Sequence, residues 1–379
     1  MRPPVSFDGR ARGFGRADLG YYMAEEQEAG RRIRRPRRIC KTGGNSMLQR
    51  GRILRLAAAA LILFSLAAPG FATQDKKDKK KKEPPPQGTP VLWREHADVS
   101  ALDLLAGPGG EELRPQAPFT FVEEEKGGYS KKYRVKDAKG RVWVAKIGVE
   151  AQPETAVTRL VWAAGYIPEV TYLAPCARIE GAPDPGKDFA RCQGDGLANV
   201  RFEARPENTK RYGEWRWASN PFSGKRELQG LKIMMALFEN WDIKDDNNRI
   251  LAVTGAGGTE LHYIVSDLGA TVGKTGGVGG MMARIRQIKG TRNNPEDFAS
   301  DKFIEGVEAG RVRFSFEGKN KELMQDVTVA DAQWLAAILS RLSDKQIGDA
   351  FRAANYTDEE VRLLTNAVRA RINQLAAVK

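Results

Sequence analysis

Between residues 119 and 165 the apolar positions change their spacing once, and that change limits the chain to a few folds. Residues 119–123, Tyr133 with Val135, and Val142 with Val144 read as strands. The last two are joined by Asp137-Ala138-Lys139-Gly140, a turn in which Gly140 supplies a positive φ. After Pro153 the period becomes helical: Val157, Leu160, Val161 and Ala164 form an i, i+3, i+4, i+7 stripe that stops near Gly165. Strand, glycine pair, strand, turn, strand, helix describes a small antiparallel sheet carrying one helix.

The second half has a different texture. Residues 226–240 put Leu228, Leu231, Met235 and Phe238 on one face of a buried helix, which runs into the polar cluster 241–248. Residues 250–253, the turn 255–258 and residues 261–265 form a hairpin that ends at Ser266-Asp267-Leu268-Gly269. The C-terminal end is helical, with capping boxes at Ser343/Gln346 and Thr357/Glu360. No repeat of about 20 to 50 residues is present, which excludes a solenoid. The class is α+β.

Composition excludes several functions. Three cysteines without a C-x-x-C pair and two histidines leave no cysteine-rich zinc module and make a serine-protease triad hard to build. The net charge of +13 suggests nucleic acid until it is located. Residues 1–72 carry 14 Lys/Arg against 5 Asp/Glu and residues 73–88 carry 6 against 3, leaving 41 against 40 of the totals 61 and 48 for the body. The body is close to neutral, so a specific nucleic-acid partner is not expected.

The basic excess has its own explanation. From Met47, basic residues precede the uncharged stretch 56–68 and then small residues up to Ala72, the order of a signal peptide over 47–72. Cleavage after Ala72, with Gly70 at the minus-three position, is preferred over cleavage after Ala68. Residues 1–46 are then a basic extension upstream of the true start. The alternative is a cytoplasmic arm anchored by residues 56–68; either way the body lies outside the cytoplasm. Residues 73–90, rich in Lys and Pro, read as a solvated spacer with a weak attraction to anionic surfaces.

Five residues of the body form one ordered set: Lys146 on a strand, Glu154 on the next helix, Asp242 and Asn247 five apart in a loop, and Asp267 at a strand end. Phosphoryl transfer needs such parts, a lysine on the phosphates backed by a carboxylate, an Asp for the acceptor, and an Asn and Asp for metal. Val144-Ala145-Lys146, Asp242-x-x-x-x-Asn247 and Asp267-Leu268-Gly269 resemble the matching elements of the protein-kinase-like superfamily, in its atypical branches. Those branches include the HipA-type, phosphatidylinositol and secretory-pathway kinases. Asn240-Trp241 stands where His-Arg would precede the Asp, and the phosphate-covering loop is only Gly127-Gly128-Tyr129-Ser130.

The resemblance implies a two-lobed fold, with a small antiparallel-sheet N-lobe with one helix at 91–198 and a mainly helical C-lobe at 199–379. It implies a monomer that binds ATP or another nucleotide through Gly127, Gly128, Ser130, Lys146 and Glu154. Asn247 and Asp267 would hold Mg²⁺ or Mn²⁺, and Asp242 with Lys146 would act in transfer to a protein, lipid or sugar acceptor. A non-catalytic binding module keeping the fold, or a structural envelope protein, are the rival functions.

Plainer readings compete at each position. Lys146 can be a solvated strand lysine, 245–248 a polar turn, Asp267 a loop cap, and Glu154 a partner of the helix dipole, with Glu150 competing for its role. Gly269–Thr275 imitates a P-loop but has three residues between its glycines instead of four, and no helix follows at once. The stretch 270–290 reads instead as a mobile, glycine-rich segment in the place of an activation loop. Trp215 and Trp217 suit core packing better than ligand stacking, and His96 and His262 read as structural. Cys176 and Cys192 flank a turn-rich stretch, so an exported body would close a disulfide there; the alternative is two buried thiols.

Overall fold

In the computed structural model, residues 84–127 and 130–379 are described. The signal-peptide, anchor and extension assignments, most of the spacer, and Gly128 lie outside them. The elements run β1 (Thr89–Val91), β2 (Phe119–Glu124), β3 (Lys131–Lys136), β4 (Val142–Ile147), α1 (Ala151–Ala163), β5 (Thr171–Ala177), β6 (Ile179–Glu180), β7 (Leu197–Ala204) and β8 (Thr209–Arg211). Then follow α2 (Arg226–Leu237), β9 (Asn248–Gly255), β10 (Gly258–Val265), α3 (Met281–Ile285), α4 (Pro295–Ser300), β11 (Ile304–Glu308), β12 (Arg311–Phe314), α5 (Val329–Leu339), α6 (Asp344–Arg352) and α7 (Asp358–Ala377).

The small lobe is a six-stranded sheet in the order β5-β7-β4-β3-β2-β6, antiparallel except where β6 joins β2. Its core follows from period-two alternation: Tyr133 and Val135 of β3 point inward beside Trp143 and Ala145 of β4, with Phe202 and Tyr172 beyond. Helix α1 packs on β5 and β7 with one side and on α6 with the other. It ends at Gly165, whose φ is +96 and where a Cβ would come within 2.5 Å of Arg94 O. The α+β, two-lobed arrangement expected from the sequence is present, with a helix-rich large lobe.

Two boundaries move. The expected division at 198 cuts through β7, which is hydrogen-bonded between β4 and β5, so the small-lobe sheet runs to Ala204. Thr89 and Pro90, assigned to the spacer, instead pair in parallel with Glu260 and Leu261, making β1 the edge of the large lobe's β1-β10-β9-β8 sheet. Leu92, Val99 and Leu104 then bury themselves in a core cluster that α1 and the large lobe share, and Gln346 of α6 donates to the carbonyls of Val99 and Leu102. Residues 92–104 therefore pack into a core shared by the large lobe and α1, and Trp93 Nε1 and Arg94 N–H donate to Ala164 O and Gly165 O at the end of α1.

Trp215 and Trp217 are buried edge to face at 4.8 Å, and Trp215 Nε1 donates to Ile264 O, which is core packing. His96 bonds Trp162 O, and His262 pairs with Glu260. Cys176 and Cys192 form a disulfide. Both capping boxes are made, and a third, at Thr328/Asp331, opens α5. Among the described residues no helix is long and apolar enough to cross a membrane.

Candidate functional site

Strand β4 ends beside the start of α1, so one lysine meets two glutamates spaced a helical turn apart. Lys146 Nζ lies 2.8 Å from Glu154 Oε2 and 2.8 Å from Glu150 Oε2. Both glutamates hold it, which answers the competition between them and overturns the solvated-lysine reading. Asp267 Oδ1 is 3.5 Å away on the other side. Burial would pull Lys146 down, but Glu154, Asp267 and Glu150 outweigh it and hold the ammonium above its ordinary value. Glu154 is buried as completely and is pushed up by that burial against Arg201 and Lys146. Glu150 also accepts from Ser130 and from Arg292, so Ser130 faces a carboxylate.

The loop after α2 is tied to the Asp267 element by its backbone and by Asn240. Asn240 Nδ2 donates to Asp267 O at 3.3 Å, and Trp241 N–H donates to Ala270 O at 3.2 Å. Inside the loop, Asn247 Nδ2 donates to Asp242 O at 2.7 Å. The Asp242 carboxylate is flanked by Lys319 Nζ at 2.6 Å and Lys244 Nζ at 3.0 Å. Asp267 Oδ1 accepts the Gly269 N–H at 3.2 Å, so the loop-cap reading of that residue is met as well. Burial raises Asp267, but Lys146, the Gly269 N–H, Arg201 and Lys132 more than reverse it and keep the carboxyl below its usual range.

These groups surround a cavity of about 650 Å³ between the lobes. Gly127, Lys146, Glu154, Asn247 and Asp267 line it. Asp242 lies one layer behind, bonded to Asn247 and Lys244 of the wall. The far wall is a chain of ion pairs absent from the sequence reading. Arg201 links Glu154 at 3.1 Å to Glu203 at 2.9 Å, Arg211 reaches Glu203 at 3.3 Å, and Arg205 pairs with Glu203. Arg211 also pairs with Glu169, which burial and then Glu203 push up to about 7.

The donor set suits a hard divalent cation. Asn247 anchors its amide nitrogen and keeps an oxygen, and Asp267 is an ionised carboxylate 40% exposed. Mg²⁺ and Mn²⁺ take one or two such oxygens and complete their shell with phosphate and water. Among the described residues no cluster of three or more His, Cys, Asp and Glu is placed to hold a metal.

The segment after Asp267 corrects one expectation. Residues 270–273 are buried, with Val272 N–H donating to Phe238 O and Thr271 Oγ1 to Leu268 O, so the first part of the 270–290 stretch is packed. The next helix, α3, begins only at Met281, which agrees with rejecting a P-loop.

No protein-family model matches the chain, and no curated protein matches it. Several solved structures are similar to it at low level, among them the following three. The proinflammatory kinase CtkA of Helicobacter pylori is 10% identical over 69% of this chain and 97% of its own, with a TM-score of 0.40. The Rio2 kinase of Chaetomium thermophilum, in a complex with ADP/Mg²⁺ and phosphoaspartate, is 12% identical over 67% and 71%, with a TM-score of 0.27. Hydra Fam20, solved with sugar, is 12% identical over 70% and 88%, with a TM-score of 0.29. At these scores the likenesses add no weight to the geometry, and the two-lobed α+β fold rests on the arrangement described above.

Proposed function

We propose that the chain is an exported kinase-like phosphotransferase whose interlobe cleft binds a nucleotide such as ATP with Mg²⁺ or Mn²⁺. The observation that carries this reading is Lys146, held between Glu154 and Asp267 and facing the cavity. Lys146 contacts phosphate oxygens, with Glu154 and Glu150 fixing its position. Asn247 and Asp267 hold the cation, which supplies charge neutralisation on the phosphates. In transfer, the bond from the terminal phosphorus to its bridging oxygen breaks and one to the acceptor oxygen forms. The proton of the acceptor passes to Asp242, whose carboxylate is positioned by Lys319 and Lys244. The acceptor is a protein, lipid or sugar hydroxyl. The Cys176–Cys192 bond supports a compartment more oxidising than the cytosol.

The same two lysines support a second reading, a binding module that keeps the cleft without turnover, because they occupy Asp242 from both sides. Titrating ATP with Mn²⁺ into wild type and variants separates the two. Asp267→Ala and Asn247→Ala lose metal-dependent binding, while Asp242→Ala keeps binding and loses transfer. Binding without transfer in the wild type establishes the module. Wild-type binding in every variant overturns the site.

A further inference from the structure

We infer that the cleft recognises the phosphate chain of its ligand and leaves the base of a nucleotide unenclosed, with Lys132 as a second phosphate contact beside Lys146. The inference rests on the proposed phosphate-binding role of the cleft and names what that cleft reads.

Strands β3 and β4 pair so that Lys132 is directly opposite Lys146 and Arg134 directly opposite Val144. Residues opposite each other in an antiparallel pair share one face, and like charges there are unfavourable unless something anionic answers them. Lys146 is answered by three carboxylates. Among the described residues, no carboxylate lies within ion-pairing distance of Lys132, and Lys132 lines the same cavity. It is near enough to help keep Asp267 ionised. Two lysines on one face of the sheet, lining the cavity that Asn247 and Asp267 also line, suit a chain of phosphates, each of which brings charge.

The rest of the wall argues against enclosing a ring. Ligand pockets that bury flat aromatic groups are lined mainly by apolar and aromatic side chains. Here the described wall carries eight Lys/Arg, six Asp/Glu and one aliphatic side chain, Val144. Arg201, Arg205 and Arg211 are already held in ion pairs with Glu154 and Glu203, so this wall presents charged groups engaged with one another in place of a flat apolar surface for a base. The charge of a phosphate chain is answered by the wall's surplus of two cations, eight Lys/Arg against six Asp/Glu, and by the divalent cation beside them.

The test uses the full chain with Mn²⁺ and three probes: inorganic tripolyphosphate, ATP and adenosine. Tripolyphosphate and ATP should bind within tenfold of each other, and adenosine at millimolar concentration should not displace either. Lys132→Ala should weaken both phosphate probes by the same factor, roughly tenfold for one lost charge-assisted contact. Lys132→Gln provides the same reading should the alanine variant fold poorly, and Lys132→Arg should restore binding. ATP more than tenfold tighter than tripolyphosphate, displacement by adenosine, or unchanged affinity in the Lys132 variants overturns the inference and leaves the phosphotransferase reading standing. Binding of neither phosphate probe in the presence of Mn²⁺ overturns both.

Discussion

Lys146 does two jobs at once, and they can be measured separately. Three carboxylates converge on its ammonium, so Lys146→Ala leaves two of them, Glu150 and Glu154, buried without that cation. Breaking a buried ion pair by removing one partner costs about 3 to 5 kcal/mol. Urea denaturation of Lys146→Ala should show a loss of that size, besides any loss of ligand. Gly269 is the neighbouring constraint. A Cβ there would come 2.6 Å from Glu150 Cβ and 3.2 Å from Lys146 Nζ. Gly269→Ala should therefore destabilise by about 1 to 3 kcal/mol, as overpacking does, and displace Glu150. These residues were legible because succession along the chain reveals them, a strand lysine and then a glutamate in the first turn of a helix. Lys319 was not, since it reaches Asp242 from a loop 77 positions downstream with no local pattern to announce it.

At the level of elements, the sequence showed those whose exposed and buried faces differ in polarity. Helices α1 and α2, the β3–β4 hairpin and the β9–β10 hairpin were all visible in that way. Strand β7 was not, because its buried positions include Arg201 and Glu203, charges that neutralise each other only once folded. The arginine and glutamate wall of the cleft was hidden with it. Strand β5 was obscured as well, although Cys176 within it hinted at a partner. The disulfide closes a loop of sequence separation 16, which in the loop-entropy relation stabilises by about 3 kcal/mol. Cys192→Ser should lower the unfolding free energy by roughly that amount, and intact mass should rise by two daltons on reduction of the wild type. Thr328→Ala removes the capping box of α5 and should cost about 1 kcal/mol by the same measurement.

For the whole molecule, helix α7 locks the large lobe together through a buried pair. Arg371 of α7 donates to Leu237 O, Glu239 Oε1 and Phe298 O, joining the end of α2 to α4. Burial lifts Glu239 to about 7 against the pull of Arg371. Because the folded form holds this proton more tightly than the unfolded chain, the contribution is full below about pH 4.5 and is lost as pH rises to about 7. The loss is about 3 kcal/mol, and Glu239→Gln should flatten it when urea midpoints are compared at pH 5 and 7.5. The three-residue strand β1 has a mechanical meaning. It is the first element after the Lys/Pro-rich stretch, and it lies along β10, whose end leads directly into Ser266 and Asp267. Tension applied to the chain upstream of Thr89 is therefore borne in shear by that short parallel pairing. The load reaches β10, the strand that leads into Asp267, before it reaches any strand of the small lobe.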